Sequence, residues 1–297
     1  MKYIVSYSKP HHHFIDIEFI AEHINKDEVI IQLPAWRPGR YELGNFAKNV
    51  QKWAAFDNSG APLKFEKTAK DTWKVNTKNV STLHIIYNYY AAEINAGSSY
   101  LDENQLYVNP VNCCVYIPER INETCELILD IPEKYKVAIG LKESTRRHSF
   151  LAKDFHTLAD SPFIASDSLQ HHLFECNNIA FNLWFQGECK PDWEKLVTDF
   201  TKFINEQFLV INPFPDKEYH FFFQILPYKM YHGVEHTNST VIALGPGYNL
   251  MKGKLYEDLL GVSSHELFHA WNIKTIRPKE MLPYDYTKEN YSRLGYV

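Results

Sequence analysis

The sequence predicts an α+β fold, with an antiparallel β-sandwich or saddle in its first half and mixed α and β structure after it. In the first half, short apolar runs alternate with turn signals, and no helix of three turns stands out before about residue 190. Beyond that point, apolar residues recur at helical spacing in two segments. We therefore place a β domain at residues 1–165 and a second, mixed domain at residues 166–297.

The predicted strands of the first half are short apolar runs, several of which alternate apolar and polar residues. Turn residues such as Asn58-Ser59-Gly60 and Asn95-Ala96-Gly97 separate them. His11-His12-His13 precedes the second run, and we interpret it as the entry to that strand. Successive strand side chains point to opposite faces, so these histidines are poorly placed to bind one metal. The runs cover residues 3–7, 14–19, 29–33, 83–90, 115–117, 126–131 and 135–138.

The second half combines strands and helices. Helical spacing of apolar residues predicts a helix over residues 192–208, with Asp192 as its N-cap, and another over roughly 254–271. The polar and aromatic stretch 228–238 is predicted to be a loop, and Thr287 to begin a further helix. Strands are predicted at residues 179–185, 219–226 and 239–244.

The composition is that of a soluble globular protein, with 45% hydrophobic and 23% charged residues among 297. Lysine and arginine are scattered along a chain of net charge −5, which argues against a nucleic-acid partner. The five cysteines include no CxxC pair, which argues against a cysteine-type zinc site. No 18-residue apolar stretch and no signal-peptide core occur. We expect no membrane insertion and a cytoplasmic location, with a periplasmic or secreted location as the alternative.

The second predicted helix contains the motif His265-Glu266-Leu267-Phe268-His269. Positions i and i+4 lie on one face of a helix, so His265 and His269 can both offer a ring nitrogen to one Zn²⁺. Glu266 projects to the side, where its carboxylate can act as a general base toward a water at the metal. The alternative is a core helix with two packed histidines, but histidine and glutamate are poor core residues.

Zinc needs a third protein ligand, and the residues by themselves leave its identity open. Glu289 follows the motif on the last predicted helix and is one candidate. A carboxylate at the start of a helix also interacts favourably with the helix dipole, so Glu289 can equally have a purely structural role.

The segment from His265 to Pro278, HELFHAWNIKTIRP, resembles the glycyl aminopeptidase family of zinc metallopeptidases, which carries HExFHxWNxKxIxP. The resemblance implies a relation to the aminopeptidase N group, in which an N-terminal β domain precedes a thermolysin-like catalytic domain. Residues 166–297 would then be the first, incomplete part of that catalytic domain, and helical and PDZ parts would follow Val297. Further matching segments are 34–41 (PAWRPGRY), 45–50 (NFAKNV), 100–102, 109–110, 283–287 and 289–291.

The resemblance also implies exopeptidase action. His232-Gly233-Val234-Glu235-His236 stands where the aminopeptidase N group has its Gly-x-Met-Glu-Asn loop. In that group the glutamate binds the α-amine of the substrate, a role that falls on Glu235, and Gly233 would let the substrate backbone approach closely. Valine and histidine replace methionine and asparagine here, which weakens any role for His236. The alternative is an exposed loop of polar residues.

The relatives also supply an expectation for the third ligand. Their glutamate belongs to a W-x-x-Glu-Gly segment whose start aligns with residues 294–297, so the expected ligand lies just past Val297. The tyrosine that stabilises the oxyanion in those relatives also lies downstream. No spacing selects among the tyrosines near the motif, which are Tyr228, Tyr231, Tyr284 and Tyr291.

Together these observations predict a zinc metallopeptidase, an aminopeptidase that releases small N-terminal residues such as Gly or Ala. Its partners would be peptides with a free N-terminus. Two alternatives stay open: a zinc endopeptidase with the same chemistry, and a catalytically incomplete fragment that binds peptides.

Overall fold

The structure, a computed structural model, describes residues 1–292, which form four β-sheets with few helices. These sheets, together with two longer helices in the second half of the chain, confirm the predicted α+β class. The first fourteen strands are β1 (Lys2–Ser6), β2 (Phe14–Glu22), β3 (Glu28–Gln32), β4 (Val50–Phe56), β5 (Phe65–Ala69), β6 (Thr72–Asn76), β7 (Thr82–Tyr90), β8 (Tyr100–Leu101), β9 (Leu106–Val108), β10 (Cys125–Asp130), β11 (Lys136–Ile139), β12 (Lys142–Glu143), β13 (Ser149–Ala152) and β14 (Phe163–Ser166). Two short helices, α1 (Pro110–Cys113) and α2 (Phe155–Ala159), accompany them.

Three sheets make up the N-terminal β region. A seven-stranded sheet runs in the order β12-β13-β10-β1-β2-β7-β4, and smaller sheets have the orders β3-β6-β5 and β11-β14-β9-β8. The alternation typical of a strand is clear in β2, where every second residue is buried and the last residue is the polar, exposed Glu22. The core that these sheets share includes Ile17, Phe19 and Ile31. The predicted domain boundary at 165/166 falls at the end of β14 and stays a prediction.

The second region is a five-stranded sheet with two helices. Its elements are β15 (Gln170–Cys176), β16 (Ile179–Gln186), α3 (Trp193–Val210), β17 (Glu218–Ile225), β18 (Met230–Glu235), β19 (Ser239–Gly245) and α4 (Gly253–Phe268). The strand order is β15-β16-β17-β19-β18, with β16, β17 and β19 parallel and the outer strands antiparallel. Helix α3 connects the parallel strands β16 and β17, as such a crossover requires.

The central strand β17 is buried on both faces, which explains its continuous aromatic run. Phe221 and Phe223 lie in the core that the sheet shares with α3 and α4. Phe222 points the other way and packs with Tyr107 and Ile164 of the N-terminal region. Because side chains alternate along this strand, one face of the sheet packs against the helices and the other face packs against the N-terminal sheets.

Helix α4 packs one face on the sheet. Its buried positions follow helical spacing and include Leu259, Val262, Glu266 and Leu267. The same spacing leaves His265 exposed and places His269, the C-cap of the helix, partly exposed. The buried face thus carries the carboxylate and the neighbouring face carries the two histidines.

Three local predictions were wrong. Residues 230–235 form an edge strand rather than a loop, because β18 pairs antiparallel with β19. Residues 115–117 form no strand and contribute only one bridge, between Tyr116 and Gln32. Thr287 begins no helix within residues 287–292, because its amide donates to the Asp285 carboxylate in a local turn. In the described part of the chain, 1–292, no helix is long and apolar enough to cross a membrane.

Candidate active site

The two histidines of α4 converge on one point. Their Nε2 atoms are 3.1 Å apart. Two imidazoles on one tetrahedral zinc ion, each bonded at 2.0–2.1 Å, would hold these nitrogens about 3.3 Å apart. The His269 ring is oriented by its Nδ1–H, which donates to the Asn272 carbonyl at 2.8 Å and leaves Nε2 free to bind a metal. The donor set therefore fits zinc.

Glu266 is a buried carboxylate beside the histidine pair. The residue is 5% exposed, and within residues 1–292 its Oε2 atom has no hydrogen-bond partner. Burial, and then the neighbouring Glu235 carboxylate, raise the pKa of Glu266 to about 8, while Arg37 and Lys274 oppose the shift. A carboxylate with a raised pKa and an unpartnered oxygen is suited to accept a proton.

Strand β18 brings Gly233 and Glu235 to the same site. They are two residues apart, so both side-chain positions face α4. One ligand atom from each of Glu235, Glu266 and His269 lies within 4.8 Å of the others. The structure thus brings together all five residues that the sequence singled out, His265, His269, Glu266, Glu235 and Gly233; their individual roles stay predictions.

Gly233 has a reason in the structure that differs from the predicted one. A Cβ atom built on Gly233 would lie 2.2 Å from Glu266 Oε1 and 2.6 Å from its Cδ. The missing side chain therefore makes room for the Glu266 carboxylate. Whether substrate backbone also approaches here stays a prediction.

Gly233→Ala is accordingly expected to displace the Glu266 carboxylate and to lower kcat/KM of any peptide hydrolysis at this site by roughly tenfold or more, since misplacement of about 1 Å at a reacting group is costly. Gly261→Ala on α4 is the matched control, because its added Cβ meets no atom within 4 Å. Kinetics of both variants in the full-length protein check this. An unchanged kcat/KM in Gly233→Ala would show that the carboxylate can move aside without loss.

A loop of the N-terminal region forms another wall of the site. Gly39, with φ of 80°, lies so close to Glu235 that a Cβ there would be 2.6 Å from Glu235 Oε1. Arg37 is 7% exposed, and its positive charge counteracts the raised pKa of Glu266. Arg37 lies in the segment 34–41 that carries the family resemblance, but no residue pattern predicts its place at this site.

Other predicted residues lie elsewhere. Glu289 is outside the group formed by Glu235, Glu266 and His269. Tyr228, Tyr231 and Tyr291 are at least half exposed, whereas Tyr284 lines, with Glu235, a cavity of about 730 Å³ between the two regions. Residues 294–297 and the glutamate expected after them lie outside the described residues.

The comparisons with known proteins agree with this geometry. A sheet that carries the HExxH helix behind an N-terminal β region is the fold of the M1 and M61 zinc peptidases. The chain belongs to peptidase family M61. Residues 2–167 match the peptidase M61 N-terminal domain, and residues 258–297 match the M61 glycyl aminopeptidase domain. Among curated protein sequences, none matches this chain.

Solved structures show the same fold. An aminopeptidase N family protein from Idiomarina loihiensis is 28% identical, with a TM-score of 0.89 over 98% of this chain and 51% of that protein. A mutant of an M1 zinc metallopeptidase from Deinococcus radiodurans is 12% identical, with a TM-score of 0.50 over 91% and 63%. Yeast LTA4 hydrolase is 14% identical, with a TM-score of 0.50 over 91% and 43%. This chain therefore spans about half the length of the Idiomarina protein.

Proposed function

We propose that this protein is a zinc aminopeptidase that releases small N-terminal residues, Gly or Ala, from peptides. One observation carries the proposal: a histidine pair suited to zinc, a buried carboxylate and a second carboxylate lie together within a few ångströms. Membership of the M61 family, whose matching domain is described as a glycyl aminopeptidase, supports both the reaction and the preference for small residues.

His265 and His269 would hold the zinc ion through their Nε2 atoms. Zinc, when bound, supplies a Lewis acid that polarises the peptide carbonyl and acidifies a water molecule. A third protein ligand stays a prediction for the residues after Val297. Glu289, the other candidate, lies outside the group formed by Glu235, Glu266 and His269.

Glu266 is assigned the proton transfers. Its unpartnered Oε2 can take a proton from the attacking water, and the same carboxyl group can then deliver it to the leaving amine. Burial raises its pKa, which makes the carboxylate a stronger base, and the positive charge of a bound cation would oppose that shift. Gly233 leaves the room beside β18 that the carboxylate occupies.

Glu235 is assigned the recognition of the substrate's α-ammonium. A carboxylate is the matching partner for an ammonium group, and this one lies partly buried beside the base. An amine bound at Glu235 places the first peptide bond next to the histidine pair. Substrates would then lose one residue at a time from the N-terminus.

Paired substrates test the proposal. The zinc-loaded full-length protein is expected to hydrolyse a glycyl peptide and to cleave its N-acetylated form at least about 30-fold more slowly, because acetylation removes the charge that Glu235 binds. Equal rates on both peptides would favour the endopeptidase alternative. Binding of the free peptide without turnover would favour the fragment that only binds peptides.

A further inference from the structure

We propose that Asp160 is a positioning residue for this site, and that it holds both the Glu235 end of strand β18 and the segment that follows His269. The inference rests on the proposed function, because it assigns Asp160 an effect on amine binding through Glu235. Asp160 caps the short helix α2 in the N-terminal region and contacts neither the histidine pair nor the Glu266 carboxylate in any hydrogen bond within residues 1–292.

Four donors converge on the Asp160 carboxylate. Oδ1 accepts from His236 Nδ1 at 3.0 Å and from Lys274 Nζ at 2.9 Å. Oδ2 accepts from the Thr237 amide at 2.9 Å and from the Thr237 hydroxyl at 2.6 Å. One carboxylate of the N-terminal region thus joins two separate segments of the second region.

The contact is buried and charged. The side chains of Lys274 and His236 are only 4% and 5% exposed. Burial alone would raise the pKa of Asp160, but Lys274, then His236 and Thr237, outweigh it, so the net pKa is well below its usual range. Burial likewise disfavours the charge of Lys274, but Asp160, then Glu235 and Tyr284, together outweigh it, so the net pKa of Lys274 is raised. The pair is therefore ionised, and removal of one partner would leave the other charge buried and unpaired.

The first link is to Glu235. Glu235 ends β18 and faces α4, whereas His236, the next residue, points to the opposite side, toward the N-terminal region and Asp160. Asp160 binds the two residues immediately after Glu235, which are His236 and Thr237. Within residues 1–292, β18 is an edge strand and pairs with β19 on one side. Asp160 thereby fixes where the Glu235 carboxylate lies.

The second link is to the zinc motif. The Lys274 amide donates to the His269 carbonyl at 3.0 Å, so the backbone of Lys274 is tied to the second histidine. Its ammonium group reaches back to Asp160. The turn after α4, which includes the Asn272 carbonyl that orients His269, is thus held at both ends. Asp160 therefore acts on the amine site and on the metal site through two different residues.

The test uses glycinamide as a probe for the amine site of the zinc-loaded full-length protein, with affinity measured by titration calorimetry. Asp160→Asn is expected to weaken glycinamide binding roughly tenfold, since loss of positioning displaces Glu235. Asp167→Asn is the matched control, because Asp167 also pairs with a lysine, Lys134, but on the exposed surface. In a Glu235→Gln background, Asp160→Asn is expected to have little further effect, because the two changes act on one interaction.

A purely structural role predicts a different result. Asp160→Asn would then lower the melting temperature and leave the affinity for glycinamide unchanged. Alternatively, it would weaken glycinamide binding by the same factor in the Glu235→Gln background as in the wild type. Either outcome overturns the proposal. If Asp160→Asn does not fold, Asp160→Glu keeps Lys274 paired but shifts the carboxylate by one methylene. Weaker glycinamide binding in Asp160→Glu supports the proposal, and unchanged binding overturns it.

The outcome also separates this proposal from the proposed function. If the wild-type protein neither binds glycinamide nor cleaves glycyl peptides, the aminopeptidase assignment is wrong. Crystal structures of the wild type and of the folded Asp160 variant then decide the positioning role. A displacement of the Glu235 carboxylate by more than about 1 Å supports it, and an unmoved carboxylate overturns it.

Discussion

Glu266→Gln is expected to lower kcat for glycyl peptides by about 10²–10⁴-fold while zinc binding is retained. Glutamine has nearly the same shape, so the contact with Gly233 and the packing of α4 are kept, but an amide cannot accept the proton. The affinity for substrate should change little, because amine binding is assigned to Glu235. Single-turnover kinetics and metal analysis of the same preparation measure both quantities.

The control for this variant lies on the same helix. Glu257→Gln removes a carboxylate from the exposed face of α4, where its contact is a 3.9 Å surface pair with Lys254, and it should leave kcat unchanged. If Glu266→Gln retains turnover close to that of Glu257→Gln, the assignment of Glu266 as the base is wrong.

Glu235→Gln is expected to weaken kcat/KM for free glycyl peptides by about 30-fold or more, which corresponds to about 2 kcal/mol for loss of one partner of a shielded charge pair. The effect should fall on the free-amine substrate and leave the slow cleavage of its acetylated form unchanged. The variant therefore lowers the ratio of kcat/KM for the free peptide to kcat/KM for the acetylated peptide. A general loss of folded protein would lower both values and leave their ratio unchanged.

Glu175→Gln provides the comparison, because Glu175 is an exposed glutamate on β15 of the same sheet. It should preserve the preference for a free N-terminus. If Glu235→Gln behaves like Glu175→Gln, the amine is bound elsewhere and the assignment of Glu235 fails.

The parts of the site that lie close together in sequence were predictable. His265, Glu266 and His269 are related by the spacing of one helix, and that spacing alone predicts two histidines on a shared face. The structure brings their nitrogens to 3.1 Å as that reasoning implies. Glu235 was found through the family resemblance, because no local rule connects it with a helix thirty residues later.

The rest depends on contacts that are distant in sequence. Strand β18 contains His232 and Gly233 side by side, so its residues favour a loop until β19 supplies hydrogen bonds. Asp160 is separated from His236 by 76 residues and from Lys274 by 114. Nothing local distinguishes such a carboxylate from an ordinary helix-end residue. Residue patterns predict elements and faces, but which elements meet is decided by packing of the whole chain.

The function proposed here depends first on one zinc ion bound between His265 and His269. Anomalous diffraction at the zinc edge, from crystals of the zinc-loaded full-length protein, locates that ion directly. We expect a single strong peak at about 2.0–2.1 Å from both Nε2 atoms, next to the Glu266 carboxylate. A zinc peak at any other place, or none at the histidine pair under saturating zinc, would contradict the assignment of this site.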